Sequence, residues 1–167
     1  MAPLSVAVEK REGGDAVLLT GAINEDAGMK LLQLKRQLKG NARFNLKGIT
    51  LVNSVGVRAW VSFMRDLRTA GTKVTFEECS PDIVRQLNVV PDFFLNADVM
   101  SIFGEYFCDS CSTLRMVLFP VRDTAELTGE GSDAQNCPEC GNRMAFQDEV
   151  ELYFNFVSYM HGKSPAA

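Results

Sequence analysis

Four of the five cysteines in this 167-residue chain form two Cys-x-x-Cys pairs, Cys108 with Cys111 and Cys137 with Cys140, separated by 25 residues. Each pair fits a tight turn that points two thiolates at one ion, and Gly141 lets the second turn close without a Cβ clash. Four thiolates are the ligands that structural zinc prefers. The pattern therefore predicts a closed Zn²⁺ site, with an iron site or two redox dithiols as the alternatives.

The segments around the cysteines indicate a small β module. Residues 114–121 and 150–157 are rich in Val, Leu, Phe and Tyr, and we predict that both form strands. Residues 124–136 contain one large apolar residue, Leu127, and are predicted to form a solvated loop. Such a module has little core of its own, so metal binding would supply its folding energy. The spacing and the predicted strands resemble a zinc ribbon.

The first hundred residues alternate between strand and helix patterns. Apolar residues predict strands within residues 4–9, 16–20, 42–52 and 73–77, and the first two form a hairpin. Helical spacing predicts helices that begin at Asn24, at Ser54 and after Ser80, with these residues as N-caps. Residues 93–107 fit either a short helix or a strand. The order predicts an α/β fold, a mixed sheet with helices packed on it, followed by the small β module.

Two stretches resemble a known family. Residues 44–60, FNLKGITLVNSVGVRAW, resemble the signature of the STAS domain of bacterial anti-sigma-factor antagonists, and residues 20–28, TGAINEDAG, are similar to its first conserved turn. The order of predicted elements also matches that family over about residues 4–103. Asn53-Ser54-Val55-Gly56 is the most specific part of the resemblance, which implies a STAS-like sheet.

The resemblance implies a role for Ser54, because the first serine of this motif is the target of a partner serine kinase in phosphorylatable members. A phosphate is tolerated at a helix N-terminus, where free N–H groups lie, and it adds charge to a docking surface. Asn53, Val55, Gly56 and Arg58 are the predicted partner-docking residues around this phosphoacceptor candidate.

The chain departs from the family pattern at three positions. Asn45 and Asn53 stand where the family has Asp, and Val55 stands where it has a second serine. The two asparagines keep the size of Asp and its hydrogen-bonding capacity but lose the charge. If the carboxylates position the hydroxyl, their loss favours an alternative in which Ser54 is only a helix cap.

The charge distribution argues against nucleic acid as a partner. Residues 1–100 carry 13 Lys and Arg against 11 Asp and Glu, a net +2, whereas residues 101–167 carry 4 against 10, a net −6. Four thiolates around one divalent ion would add about −2 more. A phosphate-binding surface needs clustered cations, which the cysteine half lacks.

An enzyme is also disfavoured. All four positions of the predicted metal site are filled by protein, and His161 is the single histidine, which leaves no obvious nucleophile–base pair. Cys79 is predicted to be a small buried hydrophobe. No apolar run is long enough to span a bilayer, and the N-terminus has no secretory leader pattern, so we expect a cytoplasmic protein.

These observations combine into one prediction. Residues 1–103 form a STAS-like domain, residues 104–161 a four-cysteine zinc-ribbon module packed closely against it, and residues 162–167 a tail. The chain is expected to be a non-enzymatic bacterial signalling or adaptor protein. Its partners would be proteins, such as a serine kinase, an anti-sigma factor or a larger assembly, and an oligomer is compatible with this. The alternative is an unswitched accessory subunit of a larger assembly or transporter.

Overall fold

A computed structural model of the chain describes residues 2–95, 97–121 and 135–161, except the side chain of His161. The strands are β1 Ser5–Arg11, β2 Gly14–Ile23, β3 Ala42–Val52, β4 Val74–Glu77, β5 Asp98–Val99, β6 Ser101–Cys108, β7 Thr113–Pro120, β8 Gln135–Asn136 and β9 Arg143–Phe146. The helices are α1 Ala27–Gln37, α2 Ser54–Thr69, α3 Pro81–Val89, α4 Val150–Tyr153 and α5 Phe156–His161, with a 3₁₀ turn at Pro91–Phe93.

A five-stranded sheet forms the first half of the fold, in the order β1-β2-β3-β4-β5. The β1–β2 hairpin is antiparallel, and the remaining neighbours are parallel. The helices cover one face of this sheet, while the other face carries polar side chains such as the Arg43–Glu77 ion pair. The predicted mixed sheet with helices packed on it is confirmed. The strand residues buried under the helices are Val17, Leu19, Phe44, Leu46 and Phe76.

Trp60 on α2 lies at the centre of the core beneath this sheet. Its side chain is fully buried, and its Nε1 donates a hydrogen bond of 2.9 Å to the carbonyl of Phe93. This bond satisfies the polar atom that burial would otherwise leave without a partner. Four aromatic rings surround the indole with centroids 5.4–6.1 Å away: Phe44, Phe63, Phe76 and Phe93.

Two of the three predicted N-caps were wrong by a short shift. Asn24 does not cap α1. Its side chain accepts a hydrogen bond of 3.1 Å from the Asp26 N–H, within a turn that precedes this helix. At α2 the cap is Asn53, and Ser54 is the first helical residue. Ser80 caps α3 as predicted. Asn, Asp and Ser are nearly equivalent as caps, so composition alone does not decide between neighbours.

The second half of the fold contains an antiparallel sheet in the order β7-β6-β9-β8. The strand predicted for residues 114–121 is confirmed as β7. The strand predicted for residues 150–157 was wrong, because α4 and α5 occupy this segment. Most of the predicted loop at 124–136 lies outside the described residues, and its last two form β8. The predicted tail at 162–167 also lies outside them.

Strand β6 connects the two sheets directly. Near its start, Ile102 forms a parallel bridge with Cys79, whose N–H donates to the Ser101 carbonyl at 3.0 Å. The Phe103 N–H donates back to the Cys79 carbonyl at 2.8 Å. The strand therefore begins against the first sheet and ends at Cys108, so it runs through the predicted domain boundary at residue 103. The division into domains stays a prediction.

The two C-terminal helices pack on α3. Asn88 of α3 donates to the Tyr153 carbonyl at 2.9 Å and accepts from the Phe156 N–H at 2.7 Å, and Arg85 pairs with Asp148 at 3.1 Å. The buried side chains of α4, α5 and the turn between them belong to the same core cluster as Trp60. One continuous core thus joins the two halves.

Candidate metal centre and candidate partner surface

The structure brings the four predicted metal ligands together. The Sγ atoms of Cys108, Cys111, Cys137 and Cys140 all lie within 4.8 Å of one another. Two of the separations join one pair to the other, 3.5 Å from Cys108 to Cys140 and 3.4 Å from Cys111 to Cys137. Zn–S bonds of about 2.3 Å in a tetrahedron place sulfur atoms about 3.8 Å apart. The sulfur–sulfur distances of 3.4 and 3.5 Å, and the limit of 4.8 Å on the others, are compatible with that value. The donor set therefore fits a tetrahedral ion such as zinc.

The two cysteine turns share one backbone conformation. The Ser112 N–H donates to the Cys108 carbonyl at 2.7 Å, and the Gly141 N–H donates to the Cys137 carbonyl at 2.9 Å. Ser112 has φ +60° and Gly141 has φ +75°, both left-handed. The turn predicted at Gly141 is confirmed, and Ser112 adopts the same conformation although it carries a Cβ. Each turn therefore presents its two thiols in the same way.

The local electrostatics favour a thiolate at Cys137. Burial opposes ionisation, but the backbone N–H groups of Cys140 and Glu139 and the neighbouring thiols together lower the pKa of Cys137 to about 6. At Cys140 the Asn142 N–H favours the thiolate, but lost hydration and the other three thiols outweigh it and raise the pKa to about 12. A metal ion needs deprotonated sulfur, so the backbone N–H groups around Cys137 favour the form of this thiol that a metal binds.

The predicted phosphoacceptor lies at the exposed N-terminus of α2. Asn53 caps this helix, since its Oδ1 accepts from the Gly56 N–H at 2.8 Å and its Nδ2 donates to Glu25 at 2.8 Å. The Ser54 side chain is exposed, and its hydroxyl has no hydrogen-bond partner among the described residues. The sequence does not reveal the contact between Asn53 and Glu25, because only the tertiary fold brings these two residues together.

The other three predicted docking residues differ in exposure. Val55 is 48 % exposed, and Arg58, one helical turn beyond Ser54, is also exposed. Gly56 is buried, and a Cβ there would lie 1.9 Å from the carbonyl oxygen of Ile23. Gly56 therefore allows α2 to approach the end of β2, and the exposed part of the surface is formed by its neighbours.

Asn45, the other departure from the family pattern, lies far from Ser54. It is within β3, where its Nδ2 donates to Glu78 at 3.0 Å. Eight residues separate Asn45 from Asn53, which corresponds to roughly 25 Å along a strand. A carboxylate at position 45 could not position the Ser54 hydroxyl, so this departure does not bear on the chemistry there.

Two isolated residues complete the predicted set. Cys79 is fully buried at the junction with β6, and this burial raises the pKa of its thiol, as expected for a small packed hydrophobe. The side chain of His161 lies outside the described atoms. In the described part of the chain, no helix combines the length and apolarity needed to cross a membrane.

The fold and the site together define a mixed α/β protein with a four-cysteine cluster on a small appended sheet. No protein-family model matches the chain, and no curated protein matches it. The chain is similar to the solved structure of the anti-sigma factor antagonist SpoIIAA in its unphosphorylated form, with a TM-score of 0.44 and 16% identity. The match covers 57% of this chain and 87% of that one.

Proposed function

We propose that this chain is a non-enzymatic bacterial signalling or adaptor protein. It docks a protein partner through the surface formed by Asn53, Ser54, Val55 and Arg58. The observation that carries the proposal is the exposed, unbonded hydroxyl of Ser54 on the first residue of α2. Because Asn53 already caps the helix, the fold does not need Ser54 as a cap, and the hydroxyl remains open to a kinase.

The surroundings of Ser54 suit a reversible switch. The first turn of a helix offers free N–H groups that stabilise a phosphate, and the exposed cation of Arg58 lies one turn away. A phosphoserine would also add about −2 of charge beside the exposed apolar side chain of Val55. Docking would be favoured before phosphorylation and opposed after it.

We propose that the four cysteines hold a structural Zn²⁺ ion. Cys108, Cys111, Cys137 and Cys140 supply four thiolates, so the site would have no open position for a catalytic water. When bound, the ion supplies folding energy to the small sheet. The sheet then serves as a second interaction surface.

The test begins with the protein purified from its native cell. Its intact mass is measured before and after phosphatase, the phosphate is mapped, and zinc is measured by elemental analysis. We expect one phosphate, on Ser54, and one zinc per chain. Ser54→Ala should abolish the phosphate, whereas Ser62→Ala, at another exposed serine of α2, should retain it. Protein without phosphate under every growth condition would refute the switch.

The second candidate is an unswitched accessory subunit, and the Asn53–Glu25 contact favours it. An Asp at position 53 would place a second carboxylate against Glu25, whereas Asn53 donates to that side chain at 2.8 Å. Asn53 thus joins the turn before α1 to the start of α2. Asn53→Ala should weaken folding under either candidate, because Asn53 caps α2. If this candidate holds, Ser54→Ala and Ser54→Glu should leave every partner contact unchanged.

A further inference from the structure

One side of the β6–β7 pair forms an apolar face that the described chain leaves open. Side chains alternate along a strand, and cross-strand partners share a side. Phe103 pairs with Leu118, Glu105 with Met116 and Phe107 with Leu114. The apolar face is therefore defined by Phe103, Phe107, Leu114, Met116 and Leu118, with Glu105 at its centre.

The exposure of this face is unusual for a sheet. Leu114, Met116 and Leu118 are 57, 42 and 47 % exposed. On the other side of β6, Tyr106 and Cys108 are fully buried, so the sheet already has a core side. Contiguous exposed apolar residues rimmed by polar groups mark interaction sites.

The charge on this face indicates what kind of partner fits. Glu105 is half-buried, and its carboxylate has no hydrogen bond or ion pair among the described residues. Covering the face would remove water from that carboxylate, which is costly unless the partner supplies a cation. A suitable partner therefore presents apolar side chains and a Lys or Arg at their centre.

A second copy of the chain fits poorly. Face-to-face packing would bring the two Glu105 carboxylates toward each other and join two halves that each carry a net −6. Like charges at the centre of an interface are destabilising. The chain's own residues 122–134 also fit poorly, because they contain four acids, one Arg and one large apolar residue.

The dimensions of the face match one helix. Two neighbouring strands are about 10 Å wide with their side chains, and the five residues from Leu114 to Leu118 extend about 17 Å. A helix is about 10 Å across, and about 11 of its residues span 17 Å. We propose that this face binds a basic amphipathic helix of a partner protein, whose apolar stripe packs on Leu114, Met116 and Leu118 and whose central cation pairs with Glu105. This deepens the proposed function, on which it rests, by assigning the second interaction surface.

The test uses the zinc-loaded full-length chain and two helical peptides of about 18 residues, one built from Leu and Lys and one from Leu and Glu. Binding is followed by fluorescence anisotropy at physiological salt. We expect the Lys peptide to bind and the Glu peptide to bind at least about tenfold more weakly. The triple variant L114T/M116T/L118T should bind the Lys peptide about tenfold or more weakly than wild type. Leu152→Thr, which alters an exposed leucine on α4, should bind this peptide as tightly as wild type.

A charge exchange keeps the test decisive if the triple variant folds poorly. Glu105→Lys should reverse the preference, so that the Glu peptide binds more tightly than the Lys peptide. Equal binding of the Lys peptide to wild type and to Glu105→Lys would overturn the proposal. So would a dimer in sedimentation that Met116→Thr dissolves, since a second copy would then cover the face. Ser54→Glu should leave peptide binding unchanged, which separates this outcome from the test of the Ser54 switch.

Discussion

At the scale of single residues, backbone conformation decides which residue type can occupy a position. Ser112 and Gly141 hold equivalent places after the two cysteine pairs, both with positive φ. A non-glycine residue in this region costs about 1–2 kcal/mol, because its Cβ approaches the backbone. The first turn therefore carries a strain that the second turn avoids.

Exchanging these two residue types tests the strain. We expect Ser112→Gly to raise the free energy of unfolding of the zinc-loaded protein by about 1 kcal/mol. Gly141→Ser should lower it by a similar amount, and the effect is conformational because a Cβ at Gly141 meets nothing within 4 Å. Urea unfolding measures both changes, and equal stability of all three proteins would contradict the expectation.

Gly56 is required for a different reason, the close approach of α2 to β2. Gly56→Ala should destabilise the protein by about 3 kcal/mol or more, because the new methyl group would collide with a main-chain carbonyl. The matched control is Gly28→Ala in α1, which has open space and should stabilise the helix by about 0.5–1 kcal/mol. If both variants behave alike in thermal unfolding, the described approach of α2 to Ile23 is incorrect.

Asp15 predicts a pH dependence of stability. Its carboxylate is buried and accepts from Lys10 at 2.9 Å and from the Lys39 N–H at 3.0 Å, and these bonds lower its pKa below the ordinary value of 3.8. A carboxylate whose pKa is lower in the folded state than in the unfolded state stabilises the fold at pH values above its unfolded-state pKa. That contribution is lost as the pH falls through its folded-state pKa.

Asp15→Asn removes this contribution. At neutral pH the free energy of unfolding of the variant should be about 1–2 kcal/mol lower than that of wild type. The difference should narrow as the pH falls below 3.8 and wild-type Asp15 takes up its proton. Urea unfolding at neutral and acid pH measures the gap, and a gap that does not change with pH would show that the carboxylate charge is unimportant.

At the scale of elements, the sequence predicted the strand–helix order of the first half and strand β7, because apolar spacing there has one clear period. Residues 150–157 were wrongly predicted to form a strand, because their composition favours strands. The partly buried Val150 and the buried Tyr153, Phe154 and Val157 have the i, i+3, i+4, i+7 spacing of a helix, and Phe156 is buried beside them. Spacing was the better guide here.

The candidate sites divide in a similar way. The metal ligands were predictable because Cys-x-x-Cys is a local pattern whose chemistry dictates its geometry. The roles of Asn53 and Gly56 depend on contacts with Glu25 and Ile23, about thirty residues earlier in the chain. Local patterns do not contain that information.

The contact between α3 and the C-terminal helices can be tested at Asn88. Asn88→Ala removes the side-chain bonds to the Tyr153 carbonyl and the Phe156 N–H, so α4 and α5 should detach more often. We expect limited proteolysis to cut residues 148–161 faster in this variant. Asn155→Ala, which loses a local bond to Tyr159, is the matched control and should be cut at the wild-type rate.

At the scale of the whole molecule, the metal and the main core should respond separately to chelation. Trp60 is the single tryptophan and lies in the core of the first sheet. Cys108 and Cys137 belong to a smaller cluster with Tyr106 and Met144. We expect a chelator to open the small sheet to proteases and to leave the Trp60 fluorescence spectrum unchanged. A red shift of that spectrum on metal removal would show that the metal also supports the first sheet.

Strand β6 has a consequence for how such a chain could arise or be divided. A gene fragment that ended at residue 103 would stop in the middle of a strand, after three of its eight residues. The fragment would keep the bridge between Cys79 and Ile102 but lose every hydrogen bond that the rest of β6 makes. Recombination of gene segments at this point would leave each product with only part of β6. We therefore expect the two halves to fold properly only when they are expressed as a unit.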